Sequence, residues 1–142
     1  WTSSEQRAGT LTLYSNRGLY ERESSLETLQ GTYATATESL TIDSQGAIFY
    51  QSSENNCTGN GTAEVIDARY NMYRLQLDLD NCAGIEESRN GLRFAGLAYI
   101  GNNNEAGGGF LNRTLEMAVS ASTSGPFQDR HLAWNLLAHG PP

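Results

Sequence analysis

The sequence predicts an all-β fold, a small antiparallel β-barrel or β-sandwich of meander type, with one short helix near residues 24–30. Three observations carry this. Short segments of period-two alternation recur at a spacing of roughly 10–14 residues, about nine in all. The stretches between them are built from Gly, Asn, Ser and Asp, each suited to tight turns for its own stereochemical reason. Hydrophobic content is 38% and charged content 18%, so Gly, Ser, Thr and Asn make up the difference. Such a balance suits strands joined by turns and is unlike the highly charged composition of a disordered chain.

Residues 1–23 read as a lead-in. Gly9–Tyr14 alternates apolar and polar residues, as a strand does. Ser15-Asn16-Arg17-Gly18 is turn chemistry, which makes Leu19–Arg22 a returning hairpin partner. The period then changes. Ser24 with Glu27 three residues later, ending at Gly31, predicts one or two helical turns capped by Ser24.

Strands follow quickly. Tyr33–Thr37 leads to Ser39–Asp43, where Leu40 and Ile42 share a face. Ser44-Gln45-Gly46 turns the chain into Ala47–Gln51, with Ile48 and Tyr50 opposite Phe49. Thr58–Asp67 contains Gly59 and Gly61, which mark a bulge or a close backbone approach. Met72–Asp80 is the cleanest strand, with Leu75, Leu77 and Leu79 inward and Arg74, Gln76, Asp78 and Asp80 outward. A polar, acidic loop fills residues 83–90. Gly91–Ile100, with Gly96 at its middle, is the next strand, and Gly101–Gly109 is a hairpin loop. Phe110–Ala121 places Leu111, Leu115, Met117 and Val119 on one face. Phe127–Leu137 closes the set with Leu132, Trp134 and Leu136 inward, and residues 138–142 form a tail. Short sequential connections favour a meander, and closure into a barrel removes exposed edges. No composition break divides the 142 residues, so one domain is expected, with a barrel-like core over 24–137.

The net charge is −7, with nine arginines scattered singly and no lysine. An acidic chain without a basic patch opposes nucleic-acid binding. Without lysine there is no Schiff-base lysine, PLP anchor or P-loop lysine. No stretch approaches the roughly 18 apolar residues of a membrane-spanning helix. A start at Trp1 is expected of a mature or trimmed form. Cys57 and Cys82 fit no C-x-x-C metal or redox motif. In an oxidising compartment they are expected to pair, closing a loop of about 26 residues.

Candidate chemistry is sparse. His131 and His139 are too few and too far apart for a metal site, and no Gly-x-Ser-x-Gly elbow accompanies them. Asp78 and Asp80 share a strand face, so with Asn81 they offer oxygen ligands to a hard cation; a solvated strand face explains them equally well. Glu86 and Glu87 form a second carboxylate pair, and glycosidase chemistry at either pair needs a cleft with aromatics. Tyr14, Tyr20, Tyr33, Tyr50, Tyr70, Tyr73 and Tyr99, with Trp1 and Trp134, furnish either a binding surface or a stacked core. Sequons at Asn56, Asn60 and Asn112 matter only in a eukaryotic source. No catalytic set, cofactor or metal is predicted.

Ser25-Leu26-Glu27-Thr28-Leu29-Gln30-Gly31-Thr32-Tyr33 has the form S-L-x-x-L-x-G-x-Y. Leu40-Thr41-Ile42-Asp43, Cys57-Thr58-Gly59-x-Gly61, Asn71-x-Tyr73, Cys82 and Gly96-Leu97-Ala98-Tyr99 follow it in order. Over residues 24–137 this resembles the C-terminal β domain of a group of bacterial secreted or surface lipoproteins. The resemblance implies an extracellular, periplasmic or outer-membrane-surface location and a barrel-like domain, and it transfers no catalytic residue. The lipid-attachment cysteine of such lipoproteins has no match in this chain. The expected function is non-enzymatic binding or assembly with a protein or surface ligand, or with itself. It would act through the 83–90 and Gly101–Gly109 loops or by strand addition along an edge. The alternatives are an inhibitor or immunity-type protein, a filament subunit and, last, a hydrolase.

Overall fold

A computed structural model describes residues 17–103, 112–123 and 130–139. Two short helices, α1 (Arg17–Tyr20) and α2 (Leu26–Leu29), precede eight strands. These are β1 (Gly31–Ala34), β2 (Glu38–Ile42), β3 (Ala47–Ser52), β4 (Thr58–Val65), β5 (Tyr73–Asp80), β6 (Leu92–Asn103), β7 (Asn112–Thr123) and β8 (Arg130–His139). Every neighbour is antiparallel, in the order β1 to β8, and β8 returns to β1. The barrel alternative is therefore the observed one, and the sandwich is not.

Period-two patterning sets which way each strand faces. Along β5 every second residue is buried, from Tyr73 through Leu75 and Leu77 to Leu79. Ile48 and Tyr50 face inward on β3 while Phe49 stays 47% exposed on the outside. The barrel interior is packed with side chains. Tyr33, Leu40, Tyr73, Leu75, Phe94 and Leu115 are each at most 1% exposed. An eight-stranded barrel has an interior about wide enough for its own side chains to fill, and these residues fill it.

α2 closes one end. Its Leu29 is fully buried, and the Tyr33 hydroxyl donates to the Leu29 carbonyl at 2.7 Å. The Tyr73 hydroxyl donates to the Ser25 carbonyl at 3.4 Å. Two core tyrosines thus spend their polar atoms on the carbonyls of the helical turn, as buried hydroxyls must find a partner. Burial raises the pKa of both, and also of Tyr50; Tyr99, beside Glu116, is pushed up to about 12, with burial again the larger cause. The shifts lie above the unfolded value of 10.0, so their stabilisation is complete below that pH. It is lost as pH rises through the folded values. An ultraviolet titration is expected to show these four tyrosines ionising late and together with unfolding; four ordinary ionisations near pH 10 in an intact fold would contradict this.

Several sequence expectations are corrected. Eight strands are described, and the count of about nine included Gly9–Tyr14, which the description does not reach. Leu19 lies in α1, not in a hairpin strand. The cap of α2 is Ser25, whose side chain accepts from the Thr28 N–H at 3.0 Å. Ser24 is instead buried and bound to the turn after β4: its N–H donates to the Ala68 carbonyl and its hydroxyl to the Asp67 carbonyl. Residues 83–90 contain a 3-10 helix, Gly84–Arg89. β6 runs on through Gly101 to Asn103, and β8 reaches His139, shortening the expected loop and tail. The predicted strand Gly9–Tyr14 and the remainder of the Gly101–Gly109 loop lie outside the described residues.

The disulfide forms between Cys57 and Cys82. Cys57 precedes β4 and Cys82 follows β5, and Thr58 pairs with Asp80 between them. Each cysteine follows an Asn with positive φ, Asn56 at 54° and Asn81 at 58°. Asn is among the few residues besides Gly that take this conformation readily.

Candidate functional site

A meander closes only if its first and last strands run alongside each other. Here the described residues place them side by side at one pair. All ten residues of β8 pair with β7, from Arg130 opposite Thr123 to His139 opposite Thr114. On its other side, among the described residues, β8 has one pair, His139 opposite Ala34. Among the described residues, Arg130–Ala138 is therefore paired along one edge only.

The cause is local to β1. The strand is four residues long, and the chain turns immediately after Ala34. The Thr35 N–H donates to the Glu38 carbonyl at 2.9 Å, and the Glu38 N–H donates back to the Thr35 hydroxyl at 3.0 Å. The Thr37 carbonyl accepts from both the N–H and the hydroxyl of Ser53, at 2.8 and 3.1 Å. This turn is tied to the end of β3 and does not run on along β8. Beside it lies a shallow groove of about 200 Å³, lined among others by Thr35, Thr37, Glu38, Ser39, Gln51 and Ser53.

Such an edge offers a row of backbone N–H and C=O groups at strand spacing, and an extended backbone is what satisfies it. Edge strands are commonly blunted by lysine, proline, bulges or inward charges. β8 reads Arg-His-Leu-Ala-Trp-Asn-Leu-Leu-Ala-His, without lysine, proline, glycine or an acid.

The other sequence candidates fall elsewhere. Asp78 is bound by Arg93, which donates Nε to Oδ1 at 2.7 Å and an Nη to Oδ2 at 2.8 Å. The guanidinium holds the Asp78 carboxyl below the usual carboxylate range. Asn81 donates to the Thr58 hydroxyl at 2.8 Å. Asp78 and Asn81 are thus each engaged by another side chain, and no three His, Cys, Asp or Glu side chains converge among the described residues. Glu86 pairs with Arg89 across one turn of the 3-10 helix, half-buried. His131 and His139 both lie on β8, opposite Ser122 and Thr114. Trp134 is opposite Val119 on the same strand.

The tyrosines divide into two groups. Tyr33, Tyr50 and Tyr73 belong to the core. Tyr50 donates to Glu38 Oε1 at 2.5 Å, and Tyr99 donates to Glu116. Tyr20 and Tyr70 stack at the barrel rim, with ring centroids 4.8 Å apart and planes 19° from parallel. The Arg69 guanidinium sits 5.4 Å from the centre of the Tyr70 ring and also grips Asp67, whose carboxyl is lowered to about 2, chiefly by that hydrogen bond. Tyr14 and Trp1 lie outside the described residues.

Asn71, which entered the sequence reading only as part of a motif, holds this rim together. Its side-chain amide donates to the carbonyls of Leu19 and Ile100 and accepts from the Ile100 N–H, while its own N–H donates to Tyr20. Nothing near Asn71 in sequence marks it, because its side-chain partners are 29 and 52 residues away.

No family model, curated protein or solved structure matches the chain.

Proposed function

We propose that this chain is a non-enzymatic binding domain of the cell envelope or exterior that takes up an extended strand on the open edge of β8. The observation that carries the reading is that, among the described residues, β8 has one pair with β1 against ten with β7. A side-chain-filled barrel supports it, since the described interior is occupied by the protein's own residues. The disulfide supports an oxidising compartment, as does the resemblance to envelope lipoproteins. Strand addition draws affinity from main-chain hydrogen bonds and selectivity from the side chains on either side of the added strand.

Amide exchange followed by NMR tests the edge directly. Alternate amides between Arg130 and Ala138 are expected to exchange orders of magnitude faster than those of β5, which is paired on both sides. Uniform protection along β8 would rule the reading out. Thiol alkylation of chain taken from its native source, without reductant, tests the compartment: Cys57 and Cys82 should remain unlabelled.

A further inference from the structure

We propose that the strand received by β8 is the β8 of a second copy of this chain, paired antiparallel about a two-fold axis. This rests on the strand-addition reading and names its partner.

Three observations favour a second copy. The first is pattern. The donor and acceptor groups of an antiparallel edge alternate in the same way read from either end. A two-fold rotation therefore lays β8 on its own copy with every hydrogen bond in place, which is the requirement of a closed, isologous contact. A foreign partner has to bring an open strand edge of its own, whereas a second copy has one of matching length, the nine residues Arg130–Ala138 that the described strands pair on one side only.

The second is charge. The chain carries sixteen acids against nine arginines, so two copies repel over most of their surface. β8 is ten residues without an acid. Contact along it sets no acid of one β8 against an acid of the other; Glu116, opposite Leu137, is one strand further back on β7.

The third is access. The turn after β1 is held to Ser53 by two bonds on the Thr37 carbonyl, so the described β1–β2 hairpin does not extend over Arg130–Ala138. A docked β8 extends the β7–β8 sheet across the two-fold into the β8 and β7 of the partner copy. One strand pair is a small interface, so the dimer is expected to be weak and dependent on concentration.

Sedimentation velocity on the oxidised full chain tests this. The wild type is expected to move from 15.5 kDa toward twice that mass as concentration rises. The double variant Ala133→Lys with Leu137→Lys should stay at the monomer mass with an unchanged circular dichroism spectrum, because lysines on a pairing edge oppose docking. The control variant Thr41→Lys with Thr62→Lys, placed on exposed positions of β2 and β4, should still dimerise. A folded Ala133→Lys, Leu137→Lys variant that dimerises as well as the wild type overturns the proposal. So does a wild type that stays monomeric throughout; if its alternate β8 amides still exchange freely, the open edge stands and belongs to another strand. Uniform protection of β8 in that monomer removes the strand-addition reading as well.

Discussion

Replacing Cys57 and Cys82 together by Ser is expected to lower the unfolding free energy by ~3–4 kcal/mol. The figure follows from the entropy of the unfolded chain. The two cysteines are 25 residues apart, and the bond denies the denatured ensemble every conformation in which they separate. The folded state changes less, because the same corner is held by other bonds. The Cys82 N–H donates to the Asn90 side chain at 2.7 Å, and the Asn90 amide returns a bond to the Cys82 carbonyl at 3.0 Å. The Ala83 N–H donates to the Asn55 carbonyl at 2.8 Å, and Ser52 donates to Cys57. The double variant should therefore keep its native circular dichroism spectrum while its denaturant midpoint falls. A midpoint unchanged within error would show that the unfolded chain is already restricted without the bond.

Gly61→Ala is expected to cost about 3 kcal/mol or more, at the upper end of overpacking. A Cβ at this position would sit 1.9 Å from the Gln76 carbonyl oxygen and 2.9 Å from the Leu77 Cα. Both are backbone atoms of β5, directly across the sheet, so no side chain can swing aside to make room. Gly96 repeats the arrangement on β6, where a Cβ would meet the Ala118 carbonyl oxygen of β7 at 2.0 Å. The same loss is expected for Gly96→Ala. Gly84→Ala is the contrast: nothing lies within 4 Å of its Cβ position, and its cost comes only from a φ of +65°. Thermal unfolding of the three variants separates the two mechanisms. A Gly61→Ala melting curve matching that of Gly84→Ala would show that the sheet relaxes more easily than its geometry implies.

Much of the barrel was legible because its signal is local. Leu75, Leu77 and Leu79 announce a one-sided strand within five residues, and Ile48, Phe49 and Tyr50 sort themselves inside and outside in the same way. Gly59 and Gly61 were readable as a bulge or a close approach because a strand interior has little other use for glycine, and at Gly61 the close approach is the one found. What failed was decided at a distance. Ser24 looked like a helix cap, yet its hydroxyl bonds the Asp67 carbonyl, 43 residues away, and leaves the cap to Ser25. Leu19–Arg22 looked like the return of a hairpin, yet Leu19 lies in the helical turn Arg17–Tyr20 and is held against Asn71. The candidate site is the extreme case. That β8 is a strand was readable from its alternation. That the described residues pair Arg130–Ala138 on one side only depends on a stagger between the first and last strands, and no window of sequence contains both.

Tension gives the closure between β1 and β8 a further meaning. A chain pulled from beyond Gly31 and beyond His139 loads the first and last strands of the barrel, and among the described residues these share one pair. That contact gives way before the β7–β8 ladder, which has ten. The Cys57–Cys82 bond meanwhile withholds the 25-residue interval from extension, shortening the reach of the unravelled chain by about 80–90 Å. β4 and β5 lie inside that interval and stay tethered at their open end however far the termini are drawn apart. A domain built this way yields first at its rim. Drag on its two ends would part β1 from β8 first while the cross-linked centre keeps its length.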